Sequence, residues 1–202
     1  MMLKSNMSKW IYLGVVIFAG AVFGSIFIQV LPSEQQLGLG NEINIYMNWM
    51  KHNGDINSSY LFWDVFFNYF KWAALLFILG ISVIGVPIII ILNFLKGFLI
   101  GCSIHVIVQM FGTQGVLLSL ATVVPHNVIA VPAILILSST AIGFSTFVIK
   151  NRLIKHVGNL REAFVSYSAV AMSMLILLAI AAVVQVYVSP QVMEWYLVQL
   201  PL

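Results

Sequence analysis

Long apolar runs almost free of charge, Trp10–Val30, Trp72–Leu95, Gly97–Phe111, Val116–Ile149 and Val165–Val188, leave this chain few folds to adopt. A helix of about 20 apolar residues crosses a hydrocarbon core about 30 Å thick, where no water is available to pair backbone N–H and C=O groups. With 61% hydrophobic residues, 7% charged residues and a mean hydropathy of +1.05, an ordinary soluble domain is excluded. No soluble block is long enough to form a second unit. The expectation is an all-α, polytopic integral membrane protein, with residues 1–202 forming a single membrane domain.

The amino terminus imitates a signal peptide, with Lys4 and Lys9 before an apolar core and Ala19-Gly20-Ala21 as a cleavage-like site. Hydrophobicity nevertheless continues through Phe23, Ile26 and Phe27 to Leu31, where a cleaved peptide would turn polar, so this segment reads as an uncleaved first span. Cys102 is the lone cysteine, which rules out an internal disulfide, and it reads as a small buried residue.

The fourth run, Val116–Ile149, is too long for one crossing and too short for two with a loop between them. Its roughly 34 residues would make a helix of about 51 Å. Pro125 and Pro132 each remove a backbone donor, so the segment is expected to break at Pro125-His126-Asn127.

Charge decides the number of crossings. With the amino terminus inside and five spans, Lys4, Lys9, Lys96, Lys150, Arg152, Lys155 and Arg161 are cytoplasmic. Lys51 and Lys71 fall outside, together with Glu34, Glu42, Asp55, Asp64 and Glu194. This is the positive-inside asymmetry, and it accounts for the pI of ≈ 9.1 without nucleic acid. A sixth crossing would move the cluster Lys150–Arg161 outside. The expected spans are therefore 10–30, 72–95, 97–111, 127–149 and 165–188, with an external loop 32–71, a re-entrant arm 116–124, a cytoplasmic loop 150–164 and an external tail 189–202. Lys96 becomes a tight inner turn and Gly112-Thr113-Gln114-Gly115 an outer one.

Within the outer loop, Ile43, Tyr46, Met47 and Met50 follow helical spacing after the cap candidate Asn41, with Asn53-Gly54 as a stop. The aromatic stretch Tyr60–Trp72 follows, and its Asp64, Asn68 and Lys71 share one helical face. It is expected to lie as an external interfacial helix, rings among the headgroups and polar side to water. It serves either as a pre-span anchor or, with Tyr46, Trp49, Trp63, Asp64 and Asn68, as a docking surface for an extracytoplasmic partner. Val192, Trp195 and Tyr196 of the tail, also at helical spacing, join the same platform.

Gly20 with Gly24 and Gly97 with Gly101 form two GxxxG pairs, which serve helix packing within the chain or in a homo-oligomer. Gly80, Gly85 and Pro87 predict a kink in the second span, with Ser82 bonding a freed carbonyl.

The polar residues inside the apolar zone are His105, Gln109, Thr122, His126, Asn127, Ser138, Ser139, Thr140 and Gln185. No histidine has a second histidine one turn away, and the expected spans contain no carboxylate, so no metalloprotease motif is present. Ser138-Ser139-Thr140 lacks the sharp turn and base that a nucleophilic serine needs. No catalytic, cofactor or metal residue is expected. His126 and Asn127 either satisfy backbone groups freed at the break or line an ion or substrate path, and Gln185 reads as an interhelical contact.

The stretches Trp72–Pro87, Asn93-Phe94-Leu95-Lys96-Gly97-Phe98, Pro125–Ala133 and Tyr187-Val188-Ser189-Pro190 resemble, in that order, the stage II sporulation protein M family. The likeness covers essentially the whole chain. It implies a non-enzymatic membrane subunit of the engulfment machinery of endospore-forming bacteria. In this role it would anchor and localise two peptidoglycan-cutting partners, stage II sporulation proteins D and P, at the septal and engulfing membrane of the mother cell. The wider superfamily resembles Pro-His-Gly-Val-x-Glu-x-Pro-Ala at the break, whereas here Asn127 stands at the glycine position and Ala130 at the acidic one. That departure disfavours proton or ion relay. The alternative is a permease-like subunit for a small molecule or ion, driven by a cytoplasmic ATPase docked on Lys150–Arg161.

Overall fold

The computed structural model describes residues 2–32, 34–35, 38, 41, 58–82, 84–153 and 160–191. Among the described residues there is no strand. The helices are α1 (Met2–Val30), α2 (Ser58–Ile81), α3 (Gly85–Thr122), α4 (Val124–Leu153) and α5 (Leu160–Val183), the last continuing through a π-helical segment, Val184–Val188. All five are long and apolar enough to cross a membrane, so the protein is an all-α, multi-pass membrane protein. The expected surface helix around Tyr46 and Trp49, and the tail residues Val192, Trp195 and Tyr196, lie outside the described residues.

The second and third helices differ from the expected 72–95 and 97–111. The aromatic stretch does not form a separate interfacial helix; it is the first half of α2, which ends at Ile81. The chain reverses at Ser82 and Ile84, where Ser82 N–H bonds the Leu79 carbonyl at 3.1 Å and Gly85 N–H bonds the Ser82 carbonyl at 3.2 Å. Gly85 is required there, because a Cβ would collide with the Leu79 carbonyl. Pro87 falls in the first turn of α3, where its missing N–H costs no intrahelical bond. Gly80, Gly85 and Pro87 thus mark the boundary between two helices and not a kink in one. Lys96 correspondingly lies inside α3 and not in an inner turn.

α3 is interrupted at Gly112, whose φ of 57° and ψ of −135° suit a residue without a Cβ. The following helical arm folds back on its own helix, with Gly115 against the Ile107 carbonyl and Val108. The arm ends at Thr122, and the N–H of Val123 closes it on the Ser119 carbonyl at 2.8 Å. The backbone break is therefore at Val123, two residues before Pro125, which sits in the first turn of α4. Pro132 is accommodated inside that helix.

α4 is the central helix. Half of its spanning window is buried, against 28% or less in the others. Ala130, Ala133, Ile134, Leu137 and Ala141 present small and branched surfaces to Leu76 of α2, Ile89 of α3, and Tyr167 and Leu178 of α5. The large apolar residues left outside, among them Phe18, Ile78, Ile91 and Ile176, suit a hydrocarbon exterior.

Candidate intramembrane polar core and docking face

The two GxxxG pairs meet each other. A Cβ on Gly20 or Gly24 would strike the Phe94 or Phe98 carbonyl, and one on Gly97 or Gly101 would strike that of Ile17 or Ala21. α1 and α3 run parallel and nearly touch backbone to backbone, which is how small residues create affinity where lipid supplies no hydrophobic drive. Phe23 beside Phe94 and Phe27 beside Phe98 flank the seam at 6.1 and 5.4 Å between centroids. Cys102 Sγ reaches the Gly24 carbonyl at 3.4 Å, and Ser25 Oγ lies 3.0 Å from His105 Nδ1.

Polar side chains in the spans tie helices together. The buried Asn93 donates through Nδ2 to Ser138 Oγ at 2.9 Å and to the Ile89 carbonyl at 2.7 Å, joining α3 to α4. Tyr69 donates its hydroxyl to Gln185 Oε1 at 2.8 Å, joining α2 to the π-helical segment. Ser145 donates to the Ser82 carbonyl at 2.8 Å and fixes the α2–α3 reversal on α4. Tyr167 donates to the Phe77 carbonyl at 3.0 Å, its ring stacked between Phe77 and Phe144 at 4.9 and 4.8 Å. Thr122 and Thr140 bond carbonyls of their own helices.

A second group surrounds Lys96. Its Nζ lies 5.3 Å from the centre of the Tyr69 ring, a cation–π contact. His126 is within electrostatic range of Lys96. At the α4 N-terminus, Asn127 Nδ2 donates to the Val123 carbonyl at 2.8 Å and lies 3.0 Å from His126 Nε2. An amide N–H can only donate, so in this contact Nε2 is the acceptor. The Thr122 carbonyl is near the ring, yet Nδ1 finds no partner in hydrogen-bond geometry, and neither does Asn127 Oδ1. Asn127 thus bonds back to the residue at which the two helices part. Ala130 is 0% exposed and packed in the apolar core.

Of the expected docking residues, Trp63, Asp64 and Asn68 are exposed on α2, while Tyr46 and Trp49 lie outside the described residues. Lys71 is exposed on the same helix. On another side of α2, α2, α4 and α5 enclose a groove of about 200 Å³ lined by Phe70, Ala73, Phe77, Leu137, Ala171 and Met172. Sequence reasoning missed Asn93, Tyr69 and Tyr167 as polar ties. The available signal was Asn93 and Lys96 three residues apart in an otherwise apolar helix, hidden once Lys96 was assigned to a turn. Among the described residues, no group of three or more His, Cys, Asp or Glu side chains is placed to hold a metal ion.

A family model described as stage II sporulation protein M matches residues 13–190, which takes in all five described spans from Leu13 onward. Neither a curated protein nor a solved structure matches the chain at a significant level.

Proposed function

The chain belongs to the stage II sporulation protein M family and is a sporulation-related membrane protein; on that premise we propose that it is a non-catalytic scaffold of the engulfment complex. It anchors and localises peptidoglycan hydrolases, stage II sporulation proteins D and P, at the septal and engulfing membrane, with its amino terminus cytoplasmic and its carboxyl terminus external. The observation that carries this reading beyond family membership is how the intramembrane polar groups are used. Asn93–Ser138, Tyr69–Gln185 and Tyr167–Phe77 each bond one helix to another, and Ser145–Ser82 bonds a helix to the α2–α3 reversal. Such ties rigidify a bundle and suit a platform. Affinity recovery of the full chain from sporulating membranes is expected to bring down cell-wall hydrolases. Recovery of an ATPase in their place would overturn the scaffold.

A second reading, a permease-like subunit, draws on the Lys96 and His126 group, where Nδ1 and Asn127 Oδ1 lack partners. Ionisable groups inside a bundle commonly mark ion or substrate paths. His126→Ala separates the two. A scaffold loses abundance or assembly, whereas a permease stays assembled and loses flux.

A further inference from the structure

The outward face of α2 carries charge at a depth where lipid cannot solvate it. On a helix turning 100° per residue, Asp64, Asn68 and Lys71 fall within an arc of about 60°. The buried Tyr69, Ala73, Leu76 and Gly80 occupy the opposite side, and Asp64, Asn68 and Lys71 are exposed with no hydrogen bond or ion pair among the described residues.

Their depth follows from the ends of the bundle. The Ser82 reversal is bonded to Ser145, and Lys9 Nζ lies 3.9 Å from where a Cβ on Gly143 would be, so the reversal lies at the basic end. Lys71 is about 16 Å from that reversal and about 15 Å from Leu61, the first residue of the apolar stretch of α2. A lysine side chain of about 6 Å snorkels to neither surface. Asn68, about 10 Å below Leu61, carries an amide into the same layer. Intramembrane charges are normally turned to a protein interior or a water-filled cavity. α2 turns these to the outside, away from the helices it packs against.

We propose that this face seats a membrane-spanning helix of a different protein, carrying a carboxylate at mid-depth against Lys71 and a hydrogen-bonding or basic group nearer the far end against Asp64. The proposal deepens the scaffold reading and rests on it for the role of the captured chain. A second copy does not fit the charges. Copies share one orientation in the membrane, so a symmetric α2–α2 contact sets Lys71 against Lys71 at equal depth, with the nearest Asp64 about 10 Å further along the axis.

The test places a photo-crosslinking phenylalanine analogue at Phe67 in the full chain within sporulating membranes, with the same analogue at Phe18 of α1 as a lipid-facing control. The expected adduct from position 67 is a different polypeptide whose apolar span has Asp or Glu near its centre. Its yield should fall roughly tenfold in Lys71→Leu, persist in Lys71→Arg, and return to Lys71→Glu when that acid is exchanged for lysine. Lys71 is exposed, so chain abundance should not fall in these variants. An adduct with a second copy, lipid adducts alone, or an adduct indifferent to Lys71→Leu overturns the docking face. Hydrolase recovery is scored in parallel. Recovery without a charge-dependent adduct overturns the docking face and leaves the scaffold standing. A charge-dependent adduct without hydrolases supports the docking face and ends the hydrolase-anchoring role.

Discussion

Lys96 Nζ lies 5.3 Å from the centre of the Tyr69 ring, while the Tyr69 hydroxyl donates to Gln185 at 2.8 Å. One aromatic side chain therefore holds a half-buried cation on its face and bonds a third helical segment at its tip. The π-helical turn Val184–Val188 contains Gln185, and the wider winding is where α5 meets Tyr69.

Separating the two roles of Tyr69 gives a graded series. Tyr69→Phe keeps the ring and loses the bond to Gln185, which is expected to cost about 0.5–1.5 kcal/mol. Tyr69→Leu also loses the cation–π contact and is expected to cost about 1–2 kcal/mol more. Lys96→Met removes a cation from the helix interior and should be no less stable than the parent chain. Midpoints of SDS-driven unfolding in mixed micelles check the order. A Lys96→Met variant as damaged as Tyr69→Leu would mean that the charge itself holds the bundle.

The α1–α3 seam leaves no volume at its glycines, so Gly97→Val should force α1 away from the Ile17 carbonyl. The expected loss is about 1–3 kcal/mol, in line with overpacking of a close contact. Because all four glycines face each other within one chain, the oligomeric mass in detergent should not change. A shift in mass with unaltered stability would place the seam between chains instead.

These two contacts show what could be read from residues alone. The all-helical, charge-poor spans were legible because lipid leaves the backbone few solutions. The boundary at Ser82–Gly85 was not, since it depends on a glycine approaching the Leu79 carbonyl, a contact that leaves no polar mark in the sequence. Lys96 looked like a boundary only if lysines stay at the surface, and here a tyrosine ring shelters it. The spacing of Asp64 and Asn68 correctly placed them on one face, but their depth depends on where α2 ends. The two glycine pairs were visible separately, whereas their register against each other is a three-dimensional fact.

Asn93 and Ser138 are expected to be energetically coupled. In a double-mutant cycle of Asn93→Ala and Ser138→Ala, the interaction term should be about 0.5–1.5 kcal/mol, the range for interhelical hydrogen bonds in membranes. Asn93→Ala also leaves Ser138 buried without its partner, so it should cost more than Ser138→Ala, after which Asn93 Nδ2 still has the Ile89 carbonyl. Additive single effects in the unfolding assay would show that the 2.9 Å contact contributes nothing.

Gly80 and Tyr167 form a suppressible pair. A Cβ at Gly80 would collide with the Tyr167 hydroxyl, which itself donates to the Phe77 carbonyl at 3.0 Å. Gly80→Ala should therefore push the ring out of its stack with Phe77 and Phe144 and cost about 1–3 kcal/mol. Tyr167→Phe alone loses the hydroxyl that the Phe77 and Leu76 carbonyls share, about 0.5–1.5 kcal/mol, and keeps the stack. Combining them removes the oxygen that the new methyl group strikes, so the double variant should be more stable than the sum of the single losses allows. Unfolding midpoints of the four chains measure this directly. Strict additivity would mean that the methyl group at position 80 is accommodated by moving α2 as a whole, and not by displacing the Tyr167 ring.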